Sequence, residues 1–136
     1  MANKYLARDD APFESEVWKA LDDAMVEAAK GLLVGRRILE LEGPYGLGLK
    51  SVPLKDETTE SGLIAGKTLP LILIQEGFDL AARDLANFEM QGITLDRSSV
   101  AEAALAVAER EDDLIFNGSE ELGVDGLMTA DGAESV

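Results

Sequence analysis

The stretch GPYGLGLKS, Gly43 to Ser51, is the first place in this chain where residue types and spacing suggest chemistry. Gly43 and Gly48 stand as far apart as the two glycines of the phosphate-binding pattern G-x-x-x-x-G-K-S/T, and Lys50 is next to Ser51. In that pattern glycine lets backbone N–H groups face a phosphate, and the lysine follows at once. Here Leu49 separates Gly48 from Lys50. A phosphate loop must also hand over to a helix whose N-terminus holds the anion. Val52 and Pro53 follow instead, which favour extended chain, and Pro44 removes an N–H that a cradle would use. The stretch is therefore read as a turn, with Gly43-Pro44 ending one strand and Gly46 or Gly48 opening the next.

The second candidate is the acidic run EREDD, Glu109 to Asp113. On a helix Glu109, Asp112 and Asp113 fall on one side, at i, i+3 and i+4, and could in principle hold a hard cation. No second carboxylate motif pairs with the run, and the Glu-x-x-His of ferritin-like di-iron sites is absent. The run is therefore read first as a solvated helix face. The chain has no histidine and no cysteine, so zinc sites of the usual kind, disulfides, Cys–His nucleophiles and Ser–His–Asp triads are excluded. Only carboxylate chemistry or a lysine base remains. The sequence calls for no catalytic residue, no metal and no cofactor, and the chain is read as not an enzyme.

Charge narrows the partners. Twelve basic residues stand against 27 acidic ones, a formal net charge of −15. DNA binding draws most of its affinity from Lys and Arg that neutralise phosphates and release counterions. The acidity is spread along the chain and leaves no basic face, so no nucleic-acid partner is expected. The length of 136 residues suits one ordinary domain that buries roughly 68% of its unfolded surface. No apolar run approaches the roughly 18 residues of a membrane span, so no membrane partner is expected. The opening MANKYLARDD carries charges where a signal peptide has its apolar core. The expected location is the cytoplasm.

The elements that position these residues can be read from periodicity. After an extended arm, Met1–Pro12, the residues Val17, Trp18, Leu21, Met25, Ala28 and Leu32 recur at three- and four-residue steps and predict a helix. Ser15 is its expected N-cap, and Gly31 and Gly35 are stop signals. RRILELE alternates Leu39 and Leu41 with Glu40 and Glu42, the pattern of a half-buried strand. Residues 51–74 read as one long β-hairpin with a polar tip, KDETTESGLIAGK, and an apolar return arm, TLPLILIQE. Such a ribbon is marginal alone. Either it stands away from its domain as an assembly device or it folds flat onto it, and the sequence leaves both open. A helix carrying Leu80, Leu85 and Phe88 on one face stops at Gly92. A longer, alanine-rich helix is capped by Ser98 or Ser99 and runs to Gly118, followed by turns and loop.

Three blocks, LVGRRILELEGPYG, TLPLILIQEGFDLAARDLANFEM and AEREDDLIFNGSEELGVDGLM, resemble the encapsulins in order and spacing. GRR followed by EGPYG, and EDDLIFNG at the end of the long helix, carry the resemblance, which runs from about Tyr5 to Met128. It implies an α+β chain with the N-terminal part of the phage-capsid (Hong Kong 97-type) fold. Residues 1–35 would be the N-terminal arm and helix on the inner surface of a shell, and 36–50 a peripheral-domain strand and turn. Residues 51–74 would be the extended loop that clasps a neighbour, and 75–136 the peripheral domain with its spine helix at Ser98–Asn117. The resemblance further implies self-assembly into an icosahedral cage around a cargo enzyme, whose terminal targeting peptide docks on the inner surface. By position, Ala29, Leu33 and Val34 would give apolar packing to that peptide, with Arg36 and Glu40 as polar anchors.

Encapsulins are about twice this length, and the axial domain and C-terminal peripheral strands have no counterpart here. The expectation is a split or cleaved shell protein completed by a complementary C-terminal half on a separate chain, and insoluble without it. Two other readings stay open at this point: a phage-type capsid fragment without cargo docking, and a small carboxylate metal binder using Glu109–Asp113.

Overall fold

A computed structural model describes residues 4–130. The described chain is α+β: helices α1 (Ser15–Leu32), α2 (Gly35–Ile38), α3 (Ala82–Gln91) and α4 (Ser98–Asn117) accompany one antiparallel hairpin, β1 (Ser51–Thr58) and β2 (Ile64–Pro70). It divides into two compact units. The first comprises Met1–Leu32 and Glu76–Ala106, the second Leu33–Gln75 and Val107–Val136, so α4 contributes a half to each.

The first unit is built on the apolar stripe of α1. Val17, Leu21 and Ala24, one helical turn apart, are buried with Leu85 of α3, Leu95 and Val100. Trp18, Met25, Phe78, Leu80, Phe88 and Phe13 pack around them. All six predicted α1 positions are buried or half-buried, and Leu80, Leu85 and Phe88 face the core as expected. The helix ends differ in detail. Ser15 is already helical, and the carbonyl of Glu14 accepts from Val17 N at 3.1 Å. α1 passes through Gly31 to Leu32, where only part of a turn remains before α2. α3 stops at Gly92 as predicted, with φ of 66° and its N–H donated to Phe88 O at 3.1 Å, the left-handed geometry glycine adopts without a Cβ clash. At the start of α4 neither serine is the cap. The Asp96 carboxylate accepts from Ser98 N at 3.0 Å and Ser98 Oγ at 2.8 Å, while Ser99 Oγ accepts from Asp79 N at 3.3 Å.

In the second unit RRILELE is not a strand. Gly35–Ile38 forms a helical turn, and Leu39 and Leu41 are exposed in an irregular segment that runs to Lys50. Two-residue alternation makes a strand only where a neighbour completes its hydrogen bonds, and among the described residues β1 and β2 pair with each other alone. The glycine-rich stretch leads from that segment directly into β1, with no helix after Lys50.

The hairpin is as predicted over most of its length. Ser51 pairs with Pro70, Leu54 with Lys67 and Thr58 with Ile64. Between Leu54 and Glu57 a bulge sets Lys55 and Asp56 against Gly66, which sharpens the local twist. The tip is closed by Thr59 N to Leu63 O at 2.8 Å and Gly62 N to Thr59 O at 3.0 Å, with Gly62 at φ of 87°. The return arm leaves the ladder at Pro70, earlier than the expected Ile74. Every residue of both strands is exposed except the half-buried Val52. Within its own unit the hairpin is covered on neither face, apart from the half-buried Val52.

Candidate functional site

Four of the five sequence-predicted docking residues, Leu33, Val34, Arg36 and Glu40, lie in the second unit. Ala29 belongs to α1 in the first and is half-buried there. Leu33 is half-buried and leads into α2, while Val34 and Glu40 are exposed.

What positions the segment is the acidic run on α4. Asp112 Oδ2 accepts from Val34 N at 2.9 Å and Oδ1 from Gly35 N at 3.1 Å. One carboxylate thereby satisfies two of the N–H groups that a helix start leaves without partners. The same approach explains Gly35, which is buried: a Cβ there would stand 2.7 Å from Ile115 Cδ1 and 3.1 Å from Ile115 Cγ2. Residue 35 must therefore be glycine for α2 to sit this close to α4 without moving Ile115.

Arg36 is held by Glu111 in a two-pronged ion pair. Its Nε donates to Glu111 Oε2 at 2.9 Å and its Nη2 to Oε1 at 2.6 Å. The fork geometry fits a carboxylate and makes the contact directional. Hydrogen bonding to Glu111 raises the Arg36 pKa above the ordinary arginine value, so the guanidinium stays charged. With 54% of its side chain exposed, the outer face of the guanidinium remains open to another group. Sequence reading thus missed Glu111, and singled out Asp112 for a cation where it holds the start of α2. Their only signal is EREDD itself, three residues of which are committed: Glu111 to Arg36, Asp112 to α2, and Asp113, whose Oδ1 accepts from Asn117 Nδ2 at 2.7 Å. Among the described residues no group of three or more carboxylates is placed to hold a metal ion.

The C-terminal end of α4 is finished by the chain that follows it. Gly118, at φ of 66°, donates to Leu114 O at 2.9 Å. A tight turn bridged by Ser119 and Val124 then brings the chain back. Leu127 N donates to Ile115 O and Met128 N to Phe116 O, both at 2.8 Å, and Thr129 Oγ1 donates to Asn117 O at 3.3 Å. Three carbonyls that a helix end normally leaves to water are paired this way. Gly126 makes the return possible, since a Cβ there would run into Gly118 N and Phe116 O. Beside this turn, an open cavity of about 500 Å³ is lined by Ile72, Ile74, Arg110, Leu114 and Leu122 among others.

The residues that make these contacts, GRR, EDDLIFNG and the glycine of VDG, are the blocks that carried the family resemblance. The sequence model of the family described as "Encapsulating protein for peroxidase" matches residues 3–136, and the chain belongs to that family. It is 34% identical over 147 residues to the type 1 encapsulin shell protein EncA of Myxococcus xanthus, a match covering 97% of this chain and 51% of that one. It is 32% identical to a diheme-cytochrome-encapsulin shell fusion protein of Kuenenia stuttgartiensis, over 86% of this chain and 36% of the other. A type 1 encapsulin shell protein of Rhodococcus erythropolis is 27% identical over 92% of this chain and 50% of its own. The chain spans about half the length of the type 1 shell proteins it matches. Among the described residues no helix is long and apolar enough to cross a membrane.

Proposed function

We propose that the chain is a shell subunit, or the N-terminal half of one, of an encapsulin nanocompartment with the Hong Kong 97-type fold. It assembles with copies of itself into an icosahedral cage in the cytoplasm. The family match over residues 3–136 carries this reading. Within it, residues 1–35 are the N-terminal arm and helix, and 36–50 a connecting segment. Residues 51–74 are the loop that clasps a neighbour, and 75–136 the peripheral domain with its spine helix. The exposed hairpin supports the clasping role: its unpaired edges and its exposed Ile64 and Leu63, each 69% accessible, are a ready template for another chain. The exposed apolar residues of the second unit are a surface that the part of the family's length not matched here, or a neighbouring copy, would cover. The subunit itself is non-catalytic, and chemistry belongs to the cargo.

Cargo docks through a targeting peptide on Ala29, Leu33 and Val34, with Arg36 and Glu40 as polar anchors. The pinned α2 turn supports this reading, because Arg36 is held by Glu111 with one face open. A shallow apolar site gives modest affinity, and many copies around one shell multiply it. Two measurements test the proposal. Light scattering of the native protein that contains this chain yields a very large particle, and a species of one or two chain masses would overturn the shell reading. Replacing Leu33 and Arg36 together by alanine abolishes cargo loading while particles still form. Unchanged loading in that variant would remove the docking assignment and leave the shell reading intact.

A further inference from the structure

The segment ahead of α1 is held largely through one residue, Arg8. Residues 4–13 make two short 3-10 turns, Lys4–Leu6 and Arg8–Asp10, joined at Ala7 in left-handed geometry with φ of 51°. Neither turn has a buried residue, and Tyr5 and Leu6 are largely exposed. Apolar burial holds this segment only at its near end, where the half-buried Phe13 packs against the core. Arg8 makes the attachment three times over. Its Nη1 and Nη2 donate to Asp22 Oδ2 and Oδ1 at 2.8 and 2.7 Å. Its guanidinium lies 4.4 Å from the centre of the Trp18 ring, within cation–π range. Its backbone carbonyl accepts from Trp18 Nε1 at 3.2 Å. Phe13 closes the near end, 4.9 Å from Trp18 and tilted 51° to it.

We infer that residues 4–12 are a releasable strap, hinged at the core-packed Phe13 and latched onto α1 by Arg8 across Asp22 and Trp18, and that opening the latch frees the strap as a unit and uncovers the Arg8 side of Trp18. Three bonds through one residue make the closure all-or-none, since losing the Asp22 fork also frees the guanidinium to leave the indole. The pair is partly exposed, with 34% and 44% of the two side chains accessible, so salt weakens it. Lys19 is occupied elsewhere, on Asp23 at 2.9 Å, and does not compete for Asp22. The inference does not rest on the shell reading.

Limited trypsin digestion of the full chain tests it, because the strap offers Lys4 outside the latch and Arg8 within it. Trp18, the chain's one tryptophan, reports the same event by fluorescence. In the native chain the bond after Lys4 is cut first, while the bond after Arg8 resists. In Asp22→Ala the bond after position 8 is cut about five- to tenfold faster, as expected when a charge-assisted fork stops limiting the open population. Trp18 emission shifts to the red and becomes more accessible to acrylamide, with helical circular dichroism unchanged. Arg8→Lys keeps the charge over the indole but loses the fork, and gives an intermediate rate with most of the native emission. That variant decides the matter if Asp22→Ala loses helical signal. Equal cutting at Lys4 and Arg8 in the native chain would overturn the latch, as would native cutting and emission in both variants.

Discussion

The two units of the chain hold together by different means. In the first, Val17, Leu21, Ala24, Leu85, Leu95 and Val100 close a core contributed by three helices and a loop, ringed by four aromatic residues. In the second, the fixed points are polar or backbone: Asp112 on α2, Glu111 on Arg36, and the return of residues 127–129 onto the end of α4. Its leucines and isoleucines largely face outward, with Ile38, Leu41, Leu63, Ile64 and Leu73 each more than half exposed. Burial is roughly proportional to stability gained. The first unit is therefore the part of this sequence that stabilises itself by apolar burial, while the second is ordered by polar and backbone contacts and leaves its apolar residues exposed. For the proposed shell subunit the division is sensible, because an assembly interface must be ordered before contact but apolar at contact.

The largest test of the contrast removes equivalent apolar groups from each unit. Leu21→Ala should cost about 2–5 kcal/mol, the range for a buried leucine that leaves a cavity. Ile64→Ala in the isolated chain should stay within about 0.5 kcal/mol, as exposed substitutions do. Urea unfolding followed by Trp18 emission and circular dichroism measures both. Comparable losses would mean that the hairpin is buried in solution and that the contrast is false. Next in size is Gly126→Ala, whose added methyl meets the backbone of Phe116 and Gly118. Overpacking of this kind costs about 1–3 kcal/mol, and should show as faster hydrogen exchange at the Leu127 and Met128 amides while α1 stays protected. Asp112→Ala should cost about 0.5–2 kcal/mol, as lost helix caps do, with exchange rising first at Val34 and Gly35.

How much of this was legible in the sequence follows the same division. The α1 stripe could be read because burial against one face imposes its period on the residues, and Val17 through Leu32 obey it. The hairpin showed as two extended runs around a glycine-containing tip. RRILELE deceived because Leu39 and Leu41 alternate like a strand without a neighbour to pair with, while Asp112 fixes the preceding residues as a helical turn. Asp112 and Glu111 read as a solvated face because their partners lie 75 to 78 residues away in the chain, a distance that local periodicity cannot express. The proposed docking segment rests on resemblance alone. Its own residues left Arg36 open between a polar anchor and an internal ion pair, and its partner Glu111 lies 75 residues away.

Both units also contain one aspartate at a helix start, which allows a finer comparison. Asp96 accepts from the backbone N–H and the hydroxyl of Ser98, and these bonds, backbone first, lower its pKa from the usual aspartate value. Its depressed pKa in the folded chain means that it stabilises α4 above the unfolded value of about 3.9. That contribution fades as pH falls through the lower folded value. Asp96→Asn keeps an acceptor for Ser98 but no titrating group. At neutral pH it should unfold almost as the native chain does, and its stability should fall less steeply between pH 5 and the acid limit, by a small margin because Asp96 is solvent-exposed. The Ser98 amide shift followed against pH gives the same answer locally, moving with a carboxylate titration in the native chain and staying flat in the variant. A native-like titration in Asp96→Asn would assign the start of α4 to another group and remove the parallel with Asp112.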